Sequence, residues 1–270
     1  MSCPNCIQGS TIPGTPTGSI QQQYDGAYFA AAPEGSTSKS AVFYLTDAFG
    51  LPLVNSKIMA DQIAQKVGCD VWVPDFFQGK PLLDVNGMEA RTLSVKKGGT
   101  STFDFMKFMF ARMPTLILPF YRNRPAVVDP RVSSLAERLR KEKGYEKIGA
   151  VGYCFGGSMA ARLGATDAFN SVVIVHPGGL SDEQLKAIKV PTSWACAEED
   201  PGFKPQMRAN AESIFKARAG KPDFIEYEFK DYPGTAHGFA ARPDLNDPDV
   251  KAGYEGALEQ ACNWFRNTLL

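Results

Sequence analysis

Histidine is scarce in this chain, with two in 270 residues, at positions 176 and 237. Any chemistry that needs an imidazole must draw on one of them. No sign of charge predominates either: 29 Lys and Arg balance 29 Asp and Glu. That balance supplies no global field for nucleic acid or an anionic membrane, and a small neutral or weakly charged ligand fits better. No apolar run approaches the roughly 20 residues of a membrane-spanning helix. The opening Met1-Ser2-Cys3-Pro4-Asn5-Cys6 has neither the basic nor the apolar segment of a secretory signal. The expectation is a soluble, cytoplasmic protein. Six cysteines in a chain of this length are too few for a dense disulfide framework, which agrees with a reducing compartment where a free thiol persists. Cys3 and Cys6 share a Cys-x-x-Cys spacing, yet no second pair of ligands at comparable spacing follows for zinc. No strand precedes them as a thioredoxin-type pair requires, so they read as ordinary thiols and no metal site is expected.

The chain has no internal repeat and no visible linker, and its length suits an α/β domain with a sizeable core. Residues 1–23, rich in Gly, Pro, Thr and Ser, read as an extended arm, with a single domain over 24–270. Ser40 to Thr46 and Cys69 to Asp75 are short apolar runs of the kind expected for strands covered on both faces. Between them, Ile58, Ile63, Ala64 and Val67 follow helical spacing up to Gly68, a natural C-cap. Strand, helix, strand in so short a span predicts a parallel sheet. The pattern repeats downstream, with strands from Ser171, Pro191 and Phe224 and helices over Ser133 to Lys143, Ser181 to Ile188, Met207 to Arg218 and Tyr254 to Phe265. A stretch dense in Phe and Met, Phe103 to Phe110, fits a pocket lining, a cap, a subunit contact or a broad-faced core helix.

The most informative stretch is Lys147-Ile148-Gly149-Ala150-Val151-Gly152-Tyr153-Cys154-Phe155-Gly156-Gly157-Ser158. It runs as an apolar strand into a glycine-rich turn and on into small residues suited to a helix. This is the setting of the Gly-x-Ser-x-Gly nucleophile elbow, with a thiol in place of the hydroxyl. Glycines at 152 and 156 have a steric reason, because a side chain at either position would strike neighbouring backbone. Cys154 would then sit at a helix N-terminus, where the macrodipole favours a thiolate. A buried structural cysteine is the plainer reading, and the remainder of the chain decides between the two.

A thiol nucleophile needs a base and a group to hold that base. Cys154, Asp200 and His237 come in the order nucleophile, acid, histidine, each after an expected strand, where parallel sheets place their ligands. Glu198 and Glu199 adjoin Asp200 and compete with it for the acid's role. His176 precedes the acid, in the wrong order for the base, and reads as a pocket wall or a structural histidine. An oxyanion would be held by the N–H of Phe155 and by a second from Ala48 or Phe49, on the loop after the early strand. Tyr153 and the loop arginines Arg122 and Arg124 complete the candidate pocket, the arginines for an acidic substrate group.

With these residues in hand, the chain resembles the dienelactone hydrolase family, a branch of the α/β-hydrolase superfamily, and most closely its fungal members. The resemblance rests on Gly152 to Gly157, Asp47-Ala48-Phe49-Gly50-Leu51, Glu199-Asp200 and His237-Gly238-Phe239-Ala240-Ala241-Arg242. It implies an α/β-hydrolase fold with a mostly parallel sheet flanked by helices, and opening of an ester or enol-lactone without a cofactor. It implies that Asp47 helps to activate the thiol, although bacterial members typically carry the longer glutamate there. It also implies that Arg242 matches, offset by one residue, the family's arginine after the histidine. The expected partner is a small-molecule ester or lactone, with no nucleic acid or membrane, and the protein a monomer or homodimer. A general carboxylesterase or a polyketide-lactone hydrolase could use the same machinery. A non-catalytic binding protein on this fold is the rival of another class, and a redox role for Cys154 lacks a resolving cysteine at short spacing.

Overall fold

The computed structural model describes residues 9–88 and 116–270. The Phe- and Met-rich stretch, Phe103 to Phe110, lies outside the described residues, as do Cys3 and Cys6. Among the described residues eight strands form one sheet: β1 (Ser19–Gln21), β2 (Ala27–Ala30), β3 (Ser40–Leu45), β4 (Asp70–Val73), β5 (Lys147–Tyr153), β6 (Ser171–Val175), β7 (Thr192–Glu199) and β8 (Tyr227–Ala236). Their order is β1-β2-β4-β3-β5-β6-β7-β8. Pairings from β4 through β8 are parallel, and β1 and β2 add an antiparallel edge. The mostly parallel α/β sheet expected from the sequence is therefore present, with helices on both faces.

Alternation along the central strands builds two cores. Ile148 and Ala150 of β5 and Val172 and Ile174 of β6 point to one side, where α2 (Pro125–Lys143), α3 (Phe155–Leu163), α4 (Asp182–Ala187) and α5 (Pro205–Lys216) pack. Val151, Tyr153, Val173 and Val175 point to the other, covered by α1 (Val54–Val67) and α6 (Pro248–Thr268). Covering both faces is why β3 and β6 read as unbroken apolar runs rather than alternating ones. Ala257, Leu258, Ala261 and Phe265 supply the buried stripe of α6. Burying one such phenylalanine is worth about 1.5–3 kcal/mol. Gly149 leaves the room, since a Cβ there would lie 2.8 Å from the Phe265 ring.

Three boundaries differ from the sequence expectation, each for a local reason. Helix α2 begins at Pro125 rather than near Ser133, and it tolerates Pro130 inside it. Both Pro130 and Ala126, whose carbonyl would have accepted the missing bond, are exposed, so solvent satisfies it. Strand β8 runs from Tyr227 to Ala236 through Pro233 and Gly234. It is an edge strand, where proline is permitted, and its pairing with β7 is irregular between Ala197 and Glu199. Its extra length delivers His237 at the strand end. Within residues 1–23, Ser19–Gln21 pairs with β2 as an edge strand, while Ile12 is buried against the α1 side.

Candidate active site

The loops after β3, β5, β7 and β8 meet at one rim of the sheet. Strand β5 ends at Tyr153 and α3 begins at Phe155, leaving Cys154 between them at φ 53° and ψ −109°. A non-glycine residue in that region is strained by roughly 1–3 kcal/mol, and the surroundings must hold it. They do so through backbone bonds: the Cys154 N–H donates to the Val175 carbonyl at 3.1 Å, and Ser158 donates to the Cys154 carbonyl at 3.1 Å. A Cβ on Gly152 would overlap the Gly156 carbonyl, and one on Gly156 would overlap the Leu45 carbonyl. The sharp turn therefore presents Sγ at the head of a nine-residue helix.

Cys154 Sγ lies 3.1 Å from His237 Nε2, and His237 Nδ1 lies 2.9 Å from each carboxylate oxygen of Asp200. All three residues are buried. Because a carboxylate only accepts, Nδ1 carries the proton toward Asp200, and Nε2 faces the sulfur as acceptor. Asp200 Oδ1 also accepts the backbone N–H groups of Gly202 and Phe203, at 2.8 and 3.2 Å, which fixes the carboxylate. Glu198 and Glu199 are exposed, and Glu198 accepts the Gly234 N–H at 2.6 Å. Cys154, His237 and Asp200, far apart in the chain, are thus in contact in space.

A cavity of about 320 Å³ opens at Cys154. Its walls include Ala48, Leu82, Leu83, Phe120 and Phe155, with polar groups from Asn123, Arg124, Ser158 and Arg162. Phe155 is itself backed by Phe76 and Phe77, with ring centroids 6.1 and 5.3 Å away. Arg162 forms a two-point pair with Asp129, at 2.7 and 2.8 Å. Arg124 is exposed, lies over the Tyr121 ring at 4.4 Å and donates to the Tyr121 carbonyl at 2.7 Å. Ser158 and Arg162 carried a readable signal: with Cys154 they stand four residues apart along one face of α3. Leu82, Phe120 and Asn123 carried none.

Other residues expected in the pocket are not among its lining residues. Arg122 is exposed, near the end of a helical stretch at 116–122. Tyr153 points to the opposite core, stacked on Tyr44 at 4.8 Å, because it is one residue out of phase with Cys154. His176, at φ 34°, stands behind the site, edge-on to His237 at 5.1 Å and to Phe239 at 5.5 Å. Phe49 is fully buried under Arg242, whose guanidinium lies 5.2 Å from its ring.

Asp47 and Arg242 form a buried ion pair. The other Asp47 oxygen, Oδ1, accepts the Phe49 N–H at 3.0 Å, and the Asp47 carbonyl accepts from Gly50 at 3.1 Å. Of the two amides considered for the oxyanion, that of Phe49 is thereby engaged, and Ala48 is the one of the two residues that lines the cavity. On the elbow side Gly156 donates to the Thr46 carbonyl at 3.1 Å.

A parallel sheet, a strained residue at the strand-to-helix turn after β5, and a histidine and carboxylate on later loops define the chain as an α/β-hydrolase-fold protein. It belongs to the dienelactone hydrolase family, whose model matches residues 27–269. It is 30% identical to the hydrolase pyvD of Aspergillus violaceofuscus, over 98% of this chain and 96% of that protein. It is 31% identical to the hydrolase tropI of Talaromyces stipitatus, over 96% of this chain and 94% of that protein. Carboxyl esterase 2 from the mycorrhizal fungus Tuber melanosporum shares the fold, with a TM-score of 0.58 and 15% identity over 99% of this chain and 92% of that one. Among the described residues, no helix is long and apolar enough to cross a membrane.

Proposed function

We propose that the protein is a carboxylic ester hydrolase that opens esters or lactones through a Cys154-His237-Asp200 triad. The observation that carries this reading is the unbroken contact from Asp200 through His237 to Cys154 Sγ, in the wall of a cavity lined mostly by apolar side chains. Nε2 of His237 takes the thiol proton, and the sulfur attacks the carbonyl carbon. The resulting oxyanion is held by the N–H groups of Phe155 and Ala48, the first at the positive end of α3. Collapse breaks the carbon–oxygen bond and forms a thioester. The leaving oxygen, an enolate where the substrate is an enol ester, takes the proton from the imidazolium and returns His237 to its neutral form. His237 then removes a proton from water, the hydroxide adds to the thioester, and the acid leaves as the thiol is restored.

A thiolate is a weaker base than an alkoxide, and an activated enol or aryl ester suits it better than an amide. The apolar walls fit such a group. Arg124, which pairs with no carboxylate among the described residues, would receive an acidic substituent at the cavity, whereas Arg162 is neutralised by Asp129. In this reading residues 24–270 are the hydrolase unit, the described residues before them an arm laid over it, and the protein works in the cytoplasm without a cofactor. Cys154→Ala should lower p-nitrophenyl acetate turnover on the order of a thousandfold or more. Turnover at the wild-type rate in that variant would remove the thiol from the mechanism. A panel of enol-lactones and simple carboxylic esters separates a dienelactone hydrolase from a general esterase.

A further inference from the structure

The Asp47–Arg242 pair is buried, and the arm packs against its arginine. Gly9, at φ 145°, lies so close to Arg242 that a Cβ there would land on the arginine's own Cβ. Ser10 donates its N–H to the Arg242 carbonyl at 3.2 Å. Ile12 is buried just beyond. One side chain holds this segment down. Asn55, in the first turn of α1 and fully buried, accepts the Ile12 N–H at 2.9 Å and donates to the Ser10 carbonyl at 2.9 Å and the Ala241 carbonyl at 3.0 Å. Its amide thus ties the arm to the loop that begins at His237 and ends at Arg242. That loop is itself closed by the N–H groups of Ala241 and Arg242, both donating to the Gly238 carbonyl at 3.0 Å.

We propose that residues 9–12, pinned by Asn55, are a positioning device for the oxyanion loop. The inference rests on the hydrolase reading above and adds Asn55 to it as a positioning residue. Arg242 reaches that loop twice, through the Asp47 carboxylate and over the Phe49 ring, while Asp47 holds the Phe49 N–H. A sealed ion pair is strong and unscreened, whereas one opened to water is weakened and responds to salt. The arm keeps the pair in the first condition. The Ala48 amide is thereby held where a developing oxyanion needs it.

The test compares full-length wild type with Asn55→Ala, and with Gly9→Ala as a second variant that pushes the arm off Arg242 while keeping the Asn55 side chain. Each is assayed with p-nitrophenyl acetate at low and high salt, between about 0.05 and 0.5 M NaCl. Alkylation of Cys154 by iodoacetamide is followed in parallel, on the peptide that contains it. Alkylation needs the thiolate but develops no oxyanion. The expected result is a kcat lowered roughly tenfold to a hundredfold with KM changed little. The loss should deepen with salt in the variants alone, and the alkylation rate of Cys154 should stay within about twofold. An unchanged kcat, a loss indifferent to salt, or turnover and alkylation falling together overturns the proposal. A Cys154→Ala variant with wild-type turnover would overturn the hydrolase reading as well, so the two failures are distinguishable.

Discussion

Asp200 offers both carboxylate oxygens to Nδ1 of His237, each at 2.9 Å, while its Oδ1 is held by the backbone of Gly202 and Phe203. The carboxylate therefore fixes which imidazole nitrogen carries the proton. Asparagine at this position would keep an acceptor for the two backbone groups. It would not enforce the tautomer that leaves Nε2 open toward the sulfur. Asp200→Asn should lower kcat on the order of a hundredfold or more, with KM and thermal stability changed little. Urea denaturation alongside the kinetics separates this from a folding defect.

The pair formed by Asp47 and Arg242 makes a prediction about stability. Both side chains are buried, so removing the carboxylate takes the Asp47 counter-charge away from a buried guanidinium. Asp47→Ala should cost about 3–5 kcal/mol of unfolding free energy. Asp47→Leu combined with Arg242→Met should recover much of that loss, because no unpaired charge then remains. A double variant as unstable as Asp47→Ala would show that packing, not charge pairing, is what the site requires.

The described cysteines should differ sharply in reactivity. Burial pushes the thiols of Cys69 and Cys196 up to about 12, and that of Cys262 to about 11. At pH 8 the thiolate fractions are then on the order of one in ten thousand and one in a thousand. Raising the pH toward those values exposes thiolate, and lowering it removes what little there is. Iodoacetamide at pH 8 should label Cys154 and leave the other three unmodified until urea unfolds the chain. Peptide mapping reads this directly, and equal labelling of Cys69 or Cys196 in the native state would contradict it.

Asp75 lies at the end of β4, and its carboxyl is raised above the usual range chiefly by burial, against the opposing N–H groups of Gly79 and Gln78 and the charge of Arg131. A carboxyl raised on folding contributes stability at low pH and loses it as pH rises through the folded value. Asparagine keeps the acceptor that Gly79 uses at 2.7 Å and removes the charge. Asp75→Asn should therefore melt at a higher temperature than wild type at pH 7, with the gap closing below pH 4. A gap independent of pH would assign the effect to packing.

Much of this architecture was legible because the physics is local. The elbow announces itself through Gly152 and Gly156, which a crowded turn demands, and His237 through the scarcity of histidine. Resolving Asp200 from Glu198 and Glu199 required the end of β7, where exposure separates the two glutamates from the buried aspartate. Tyr153 adjoins Cys154 in sequence, but strand alternation turns it to the far core. Helix α2 extends N-terminal of Ser133 through Pro130, which an exposed face tolerates. Leu82, Phe120 and Asn123 come from segments with no periodicity, and only the assembled fold brings them to one cavity. Asn55 sits in an amphipathic helix without any local mark. Its partners are 43, 45 and 186 residues away.

The central claim is that Cys154 carries the acyl group. Wild-type protein mixed with p-nitrophenyl acetate, quenched within the first turnover and mapped by mass spectrometry, should hold one acetyl group on the peptide containing Cys154. None should be found after the same treatment of Cys154→Ala. An acetyl group on another residue, or product release with no covalent species at any time during the first turnover, would contradict it.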